Sequence, residues 1–348
     1  MGGKLKCGRL VMPKIVCFHT LGEANVLQLE DHPLVEPGKG EVRLKVEALG
    51  LNRAEVLFRQ GQYLEKPVLP SRLGYEASGV IDAVGEEVTE FKVGDRVSTF
   101  PGHSMGQYGV YGESAVVPAG SVARYPVNLS PAEGASIWVQ YLTGYFALVD
   151  IGNLQPGQHV LITAASSSTG YAAIQLAKMM GAVSIATTRT PVKRQNLIDA
   201  GADHVIVTDE EDLASRVMEI TKGKGADLIY DPIAGPILQA LANAAAIRGT
   251  VILYGALALR PTVFPLFTAL QKSLRFYAYT LFEFTGSLRF GHSGNPEALL
   301  RGTRYIYEGL ETGRLKPVID RTFRLDNIVE AHRYMESNQQ NGKIVVTV

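Results

Sequence analysis

The sequence predicts an α/β protein of two domains, a small β-barrel and a doubly wound parallel sheet of six strands. Three observations carry that prediction. The chain has 348 residues, more than one hydrophobic core usually serves. Near Gly157 its texture changes from short β segments broken by Gly and Pro to apolar strands alternating with helices, the mark of right-handed βαβ units. Residues 158–170, Gln-His-Val-Leu-Ile-Thr-Ala-Ala-Ser-Ser-Ser-Thr-Gly, lead a strand through a small-residue turn into an amphipathic helix. Such a turn brings backbone N–H groups and the positive end of a helix dipole to a pyrophosphate.

Taken in order, Met1 to Val11 carries scattered Lys and Arg without an apolar core of signal-peptide length, and reads as a disordered leader. From Lys14 to Ala135 the segments are short: Glu41-Val-Arg-Leu-Lys-Val-Glu47 alternates at period two, and Gly79 to Gly85 and Val93 to Val97 follow. These predict the barrel. The apolar stretch from Ala135 to Ile151, interrupted by Gln140, Thr143 and Asp150, is too short to span a membrane and reads as a buried helix. Strands are then expected at His159 to Thr163, Val183 to Thr187, His204 to Val207, Asp227 to Asp231, Thr250 to Tyr254 and Arg275 to Thr280. After Phe284 the alternation lapses into a helix near Pro296 to Thr312, another near Asp326 to Asn338 and a final strand Lys343 to Val348, expected to return to the barrel. The dinucleotide-binding domain (136–284) is thus inserted in a barrel domain (1–135 and 285–348), with the active site in the cleft between them.

Composition narrows the function. Lys plus Arg and Asp plus Glu number 34 each, so the formal net charge is zero, which removes the basic footprint of a nucleic-acid binder. A small-molecule partner is expected, with neither nucleic acid nor membrane as a partner. Two cysteines, Cys7 and Cys17, make no disulfide framework and suit a reducing compartment, the cytoplasm by default. The seven histidines are scattered, with no pair at ligand spacing along the sequence, and no metal is expected.

The order of barrel, nucleotide domain and return, with Gly-Tyr-Glu-Ala-Ser-Gly-Val (74–80), Val-Gly-Asp-Arg-Val (93–97) and Ala-Ala-Ile-Gln-Leu-Ala-Lys (172–178), resembles the medium-chain dehydrogenase/reductase superfamily over nearly the whole chain. Gly50-Leu-Asn-Arg-Ala-Glu, Gly-Gln-Tyr (61–63) and Gly-Lys-Ile-Val-Val (342–346) are similar to its zinc-independent quinone oxidoreductases and enoyl reductases. The resemblance implies a chaperonin-10-like barrel as catalytic domain and a Rossmann sheet. It also places Asn52, Tyr75 and roughly Val139 where the zinc-dependent members hold their catalytic metal, a set that offers no normal zinc site. Residues 101–113 lack the four cysteines of the structural-zinc lobe.

For the cofactor, Ala165, Ser167 and Gly170 stand where the dinucleotide fingerprint asks for small residues. The hydroxyls of Ser167, Ser168 and Thr169 are expected to supplement backbone contacts to phosphate. Residues 186–194, Ala-Thr-Thr-Arg-Thr-Pro-Val-Lys-Arg, contain no carboxylate to hold a free ribose 2′-hydroxyl. Thr188, Arg189 and Lys193 are expected to cradle the 2′-phosphate of NADPH instead. The resemblance adds Thr143, Gly255 and Phe282 as cofactor neighbours, and Lys343 as a residue reaching the cofactor across the cleft.

Hydride from the cofactor to a quinone or an α,β-unsaturated carbonyl is then the expected reaction. By the same resemblance Tyr63 donates a proton or holds the acceptor's carbonyl oxygen, Asn52 orients substrate or nicotinamide, and Tyr75 stacks on a flat acceptor or hydrogen-bonds to it. An enoyl-thioester reductase and a non-catalytic NADPH-binding protein are the alternatives. Arg53, Arg59, Lys66 and Arg72 offer a basic rim to a thioester's phosphates. The edge strand Arg275 to Thr280, with Phe276, Tyr277 and Tyr279, is expected to pair across a two-fold axis in a homodimer.

Overall fold

The alternating segment Glu41–Gly50 forms the spine of a seven-stranded sheet, burying Val42, Leu44 and Val46 while Lys45 stays exposed. It pairs antiparallel with Glu76–Val84 on one side and Ser114–Pro118 on the other. The C-terminal strand Lys343–Thr347 joins the same sheet, antiparallel to residues 48–50, so the chain does close back on the barrel. A further strand, Ile319–Arg324, lies parallel to it and carries no sequence alternation strong enough to announce itself. This computed structural model describes residues 12–348; the leader Met1 to Val11, with Cys7, lies outside the described residues.

The second sheet has six parallel strands in the order His204–Val207, Val183–Thr188, His159–Ile162, Ala226–Asp231, Ala245–Leu253, Arg275–Ala278. All six fall where the apolar runs predict. The fifth begins five residues early, because Ala245 already pairs with Ala226 before the register shifts and Arg248 takes a positive φ of 62°. Strand order reverses at His159–Ile162, which puts a crevice at the carboxyl ends of the central strands.

The stretch after Ala135 is helical and buried, as Trp138–Tyr145 followed by a π-helical turn, Phe146–Ile151. One boundary is corrected. Helix Pro296–Glu311 does not pack on the barrel: Ala298, Ile306 and Leu310 are buried in the nucleotide-domain core with Leu142, Tyr145 and Leu176. Gly302 lets it approach, since a Cβ there would stand 3.0 Å from the Tyr145 ring. By packing, Phe282 and Phe290 touch the barrel core, helix Pro296–Glu311 belongs to the nucleotide domain, and the barrel sheet resumes at strand Ile319–Arg324. Among the described residues no helix is long and apolar enough to cross a membrane.

Candidate active site

The nucleotide turn follows strand His159–Ile162 and ends in helix Ser168–Met179. Gly170 is required there: a Cβ would meet the Ala165 carbonyl oxygen at 2.4 Å, so a larger residue would push the helix off the strand. Ser167 caps the helix, its Oγ accepting the Gly170 N–H at 3.1 Å. Its hydroxyl also shares a 3.0 Å hydrogen bond with Thr169, and Thr169 shares another of 3.0 Å with the Tyr254 hydroxyl. The hydroxyls expected to face phosphate thus also serve the turn's own structure. Ser167 and Thr169 are held in local hydrogen bonds, half-buried Ser168 makes none among the described residues, and the turn leads directly into the N-terminus of helix Ser168–Met179. Tyr254, stacked on Tyr230 with ring centroids 4.0 Å apart, was not signalled by the sequence.

At the end of the second strand Thr188 is buried and donates to the Thr190 carbonyl at 3.1 Å. Arg189 is exposed beside it. Lys193 donates to the Gln340 carbonyl at 2.6 Å, and burial lowers its pKa, with Asp320 opposing the shift and Arg189 reinforcing it. Arg189 and Lys193 stand close enough to repel at this strand end, with Asp320 the carboxylate that acts on Lys193. The loop that carries Gln340 seals this corner: Asn341 accepts from the Tyr171 hydroxyl at 2.5 Å, and the Gly342 N–H donates to the Ser166 carbonyl at 3.0 Å.

Beneath the cleft lies a buried charge network. The Lys343 ammonium donates to Glu76 Oε2 at 2.5 Å and to Asn52 Oδ1 at 2.7 Å, with both Lys343 and Glu76 side chains fully buried. The other Glu76 oxygen accepts the Val139 N–H at 3.1 Å. Asn52 opens helix Arg53–Arg59, where the buried Glu55 reaches back to the Asn52 N–H at 2.7 Å. Burial pushes the Glu55 carboxyl up to about 7, against the opposing pull of Lys343 and the Asn52 amide. Lys343 therefore does not reach across the cleft to a cofactor. Its charge is committed to Glu76, and its side chain fixes the Asn52 amide. Glu76 escapes a local reading because its partners, Lys343 and Val139, come from distant parts of the chain, whereas the sequence reading misses Glu55 although Asn52 to Glu55 is a capping-box spacing.

Around Asn52 stands an aromatic wall. Tyr75 is 1% exposed and enclosed by Tyr63, His103 and Phe282, with ring centroids at 6.3, 5.6 and 6.0 Å. Stacking of Tyr75 on an acceptor is closed to it for that reason, and its buried hydroxyl has no partner among the described residues. Both ring nitrogens of His103 are likewise buried without a partner, and burial pushes its pKa down to about 4. Tyr63 is half-buried, and its phenol is raised by burial, with Tyr75 opposing the shift. Its loop is pinned by Glu65, which accepts from Ser104 Oγ at 2.5 Å, the Met105 N–H at 3.1 Å and Arg289 at 3.1 Å. Phe282 packs between Tyr75 and Phe290 in the barrel core, so it backs this wall rather than presenting its ring to a cofactor.

Thr143, buried on helix Trp138–Tyr145, donates back to the Val139 carbonyl at 2.5 Å, and its own carbonyl accepts from the Tyr279 hydroxyl. Gly255 is exposed at the carboxyl edge of the sheet, where a Cβ would lie 2.8 Å from the Pro232 carbonyl. The basic rim is largely spent: Arg59 is fully buried against Glu336, and Arg53 donates to the Met335 carbonyl at 2.8 Å and to Asn338. A separate hollow of about 330 Å³, lined by Gln158, Asp227, Arg248 and Arg275, opens at the amino ends of the strands, away from the crevice. Among the described residues the cleft brings together no three His, Cys, Asp or Glu groups at metal-binding spacing.

Residues 38–127 match the model of the alcohol dehydrogenase GroES-like domain, and residues 169–290 that of the zinc-binding dehydrogenase family. The chain is 30% identical to a quinone oxidoreductase of Pseudomonas aeruginosa, over 96% of this chain and 99% of that one. It is 32% identical to a synaptic vesicle membrane protein VAT-1 homolog of Danio rerio over 88% of its own length, but spans only 64% of that longer protein. The quinone oxidoreductase of Escherichia coli, solved in complex with NADPH, superposes with a TM-score of 0.85 at 28% identity, covering 96% of this chain and 100% of that one.

Proposed function

We propose that this chain, which belongs to the medium-chain dehydrogenase/reductase superfamily as a quinone oxidoreductase-like enzyme, reduces a quinone or an α,β-unsaturated carbonyl with NADPH and without a catalytic zinc. The observation that carries this reading is the Asn52–Lys343–Glu76 network. At the positions that hold zinc elsewhere in the superfamily, the chain has Asn52, Tyr75 and Val139, and beside them the positive charge facing Glu76 is an ammonium. When bound, the nicotinamide supplies hydride. The acceptor takes up that hydride and one proton.

The residues of the cleft bind, orient and protonate. Asn52, held by Lys343, keeps its amide in one orientation at the cleft floor. Tyr63 is the half-buried phenol of the wall; it is neutral near pH 7 and able to donate to an acceptor oxygen. Tyr75, Phe282 and the neutral His103 pack as a buried apolar backing behind Tyr63, whose half-buried ring is the part of the wall able to meet a conjugated acceptor. Arg189 and Lys193 favour NADPH over NADH. With Arg53 and Arg59 engaged, little supports a thioester's phosphates as the recognised group.

A homodimer in the cytoplasm completes the proposal. Beside the edge strand Arg275–Ala278, Val263, Phe264, Leu266, Phe267 and Leu270 are exposed, Phe267 by 86%, a patch suited to a second copy of this chain. The function is tested by following NADPH oxidation with a 1,4-quinone, an enone and an enoyl-CoA in parallel, with and without a zinc chelator. Turnover with quinone or enone, insensitive to chelator, supports the proposal. Turnover lost to the chelator refutes zinc independence, and tight NADPH binding without oxidation favours the non-catalytic alternative.

A further inference from the structure

The N-terminal hairpin carries an arrangement that the hydride chemistry does not use. Strands Lys14–Phe18 and Gln28–Asp31 pair antiparallel, with Ile15 opposite Glu30 and Cys17 opposite Gln28. Side chains alternate faces along a strand, so the two i, i+2 pairs Cys17/His19 and Glu30/His32 all fall on one face of the hairpin. Cys17 Sγ lies 3.6 Å from His32 Nε2, and that same nitrogen lies 3.3 Å from Glu30 Oε2. His19 Nε2 holds the second Glu30 oxygen at 2.6 Å.

From the Cys17, Glu30 and His32 spacing, we propose that the hairpin face is a zinc site, distinct from the cleft, with these three residues as ligands. Ligand–zinc bonds of about 2.3 Å to sulfur and about 2.0–2.1 Å to nitrogen and oxygen, at a tetrahedral angle, set S···N near 3.6 Å and N···O near 3.3 Å. The hairpin already holds these separations. The donor set of thiolate, imidazole and carboxylate is zinc's own. His19, bonded to the far Glu30 oxygen, is the outer partner that orients a ligating carboxylate. Arg72, opposite Cys17 on the other neighbouring strand, is the cation the site must tolerate, and two anionic ligands offset it. Cys17 is buried while His19, Glu30 and His32 remain partly open to solvent, so the ion has a route in. The histidines that look isolated in sequence meet because both reach one carboxylate, Glu30, His19 at one oxygen and His32 at the other.

The test uses the full, untagged chain in a Cys7→Ser background, so that Cys17 is its one thiol. Stripped protein is titrated with Zn²⁺ against a chromophoric chelator, and with Co²⁺ followed by absorption. One Zn²⁺ per chain is expected, with a sulfur-to-cobalt charge-transfer band and a tetrahedral d–d spectrum. Cys17→Ser should abolish the sulfur band. His32→Gln, at a partly exposed position that leaves the fold intact, should weaken Zn²⁺ binding well beyond tenfold, and His19→Ala by about 10–100-fold. NADPH oxidation should be unchanged in all three variants. No stoichiometric Zn²⁺ binding, a Co²⁺ spectrum without the sulfur band, or affinity indifferent to His32→Gln would overturn the site.

Discussion

Replacing Lys343 by Met removes the one charge that the buried Glu76 faces at hydrogen-bond distance. At 2.5 Å the gross attraction is about 7 kcal/mol with an effective dielectric of 20, most of which only offsets the desolvation of two buried ions. The loss on deleting one partner is the larger quantity, because Glu76 would be left fully buried without its counter-ion and reduced to its bond from the Val139 N–H. Such deletions cost about 3–5 kcal/mol. Lys343→Met should therefore lower the urea midpoint by that amount of stability at unchanged slope. Lys343→Met with Glu76→Gln, which removes the orphaned charge, should recover most of it. Equilibrium unfolding at pH 7.5 of the wild type, both single variants and the double variant gives the cycle. A single-variant loss below about 1 kcal/mol, or a double variant no better than Lys343→Met, would refute the assignment of Lys343 and Glu76 as a mutually dependent buried pair.

The other predictions bear on catalysis, cofactor choice and pH. Tyr63→Phe should reduce kcat by about 10²–10⁴-fold while leaving the NADPH dissociation constant unchanged by fluorescence titration; an unaltered kcat would exclude the phenol as proton donor. Arg189→Ala and Lys193→Ala should each weaken NADPH by roughly 10- to 150-fold, the worth of one charge-assisted hydrogen bond, and leave NADH nearly untouched; equal losses for both cofactors would contradict a 2′-phosphate cradle. His332, buried and held down to about 3 by desolvation and by Arg59 and Arg53, behaves like His103, held near 4 by burial. Both bind protons less readily folded than unfolded, so their contribution is complete above about pH 6.5 and is lost as pH falls through the range below it. Glu55, raised to about 7, has the opposite sign, losing stability as pH rises from about 4.5 to 7. Between pH 6.5 and 5, His332→Gln should shed less stability on acidification than the wild type, the difference steepening toward about 1.4 kcal/mol per pH unit at the acid end; parallel profiles would show that His332 is not buried neutral.

The legible part of this chain is the local part. The turn from Thr163 to Gly170 declares itself because strand, small residues and helix are contiguous, and the six strands because each is a short apolar run between helices. Asn52, Tyr63 and Tyr75 could be marked by their motifs. What they touch could not: Lys343 meets Glu76 across 267 positions, and His103 reaches the Tyr75 ring from a loop with no pattern. Gln340, Asn341 and Gly342 read as a polar loop, yet they close over the nucleotide turn through Lys193, Tyr171 and Ser166. Helix Pro296–Glu311 has an amphipathic stripe that says it is buried but not against which domain. Seen alone, the Ser167 to Thr169 hydroxyls suggest ligand contacts; only the fold shows Ser167 and Thr169 satisfied locally.

The most direct test of metal-free hydride transfer in this cleft is to offer NADPH deuterated in turn on each face of C4 to an enone and to a quinone, in chelator, and to follow the label. Transfer from one face only, with deuterium on the β-carbon of the reduced enone or with stoichiometric quinol formed as a single label is lost from the cofactor, is the predicted result. Label lost equally from both faces, or NADPH bound tightly and never oxidised by either acceptor, would contradict it.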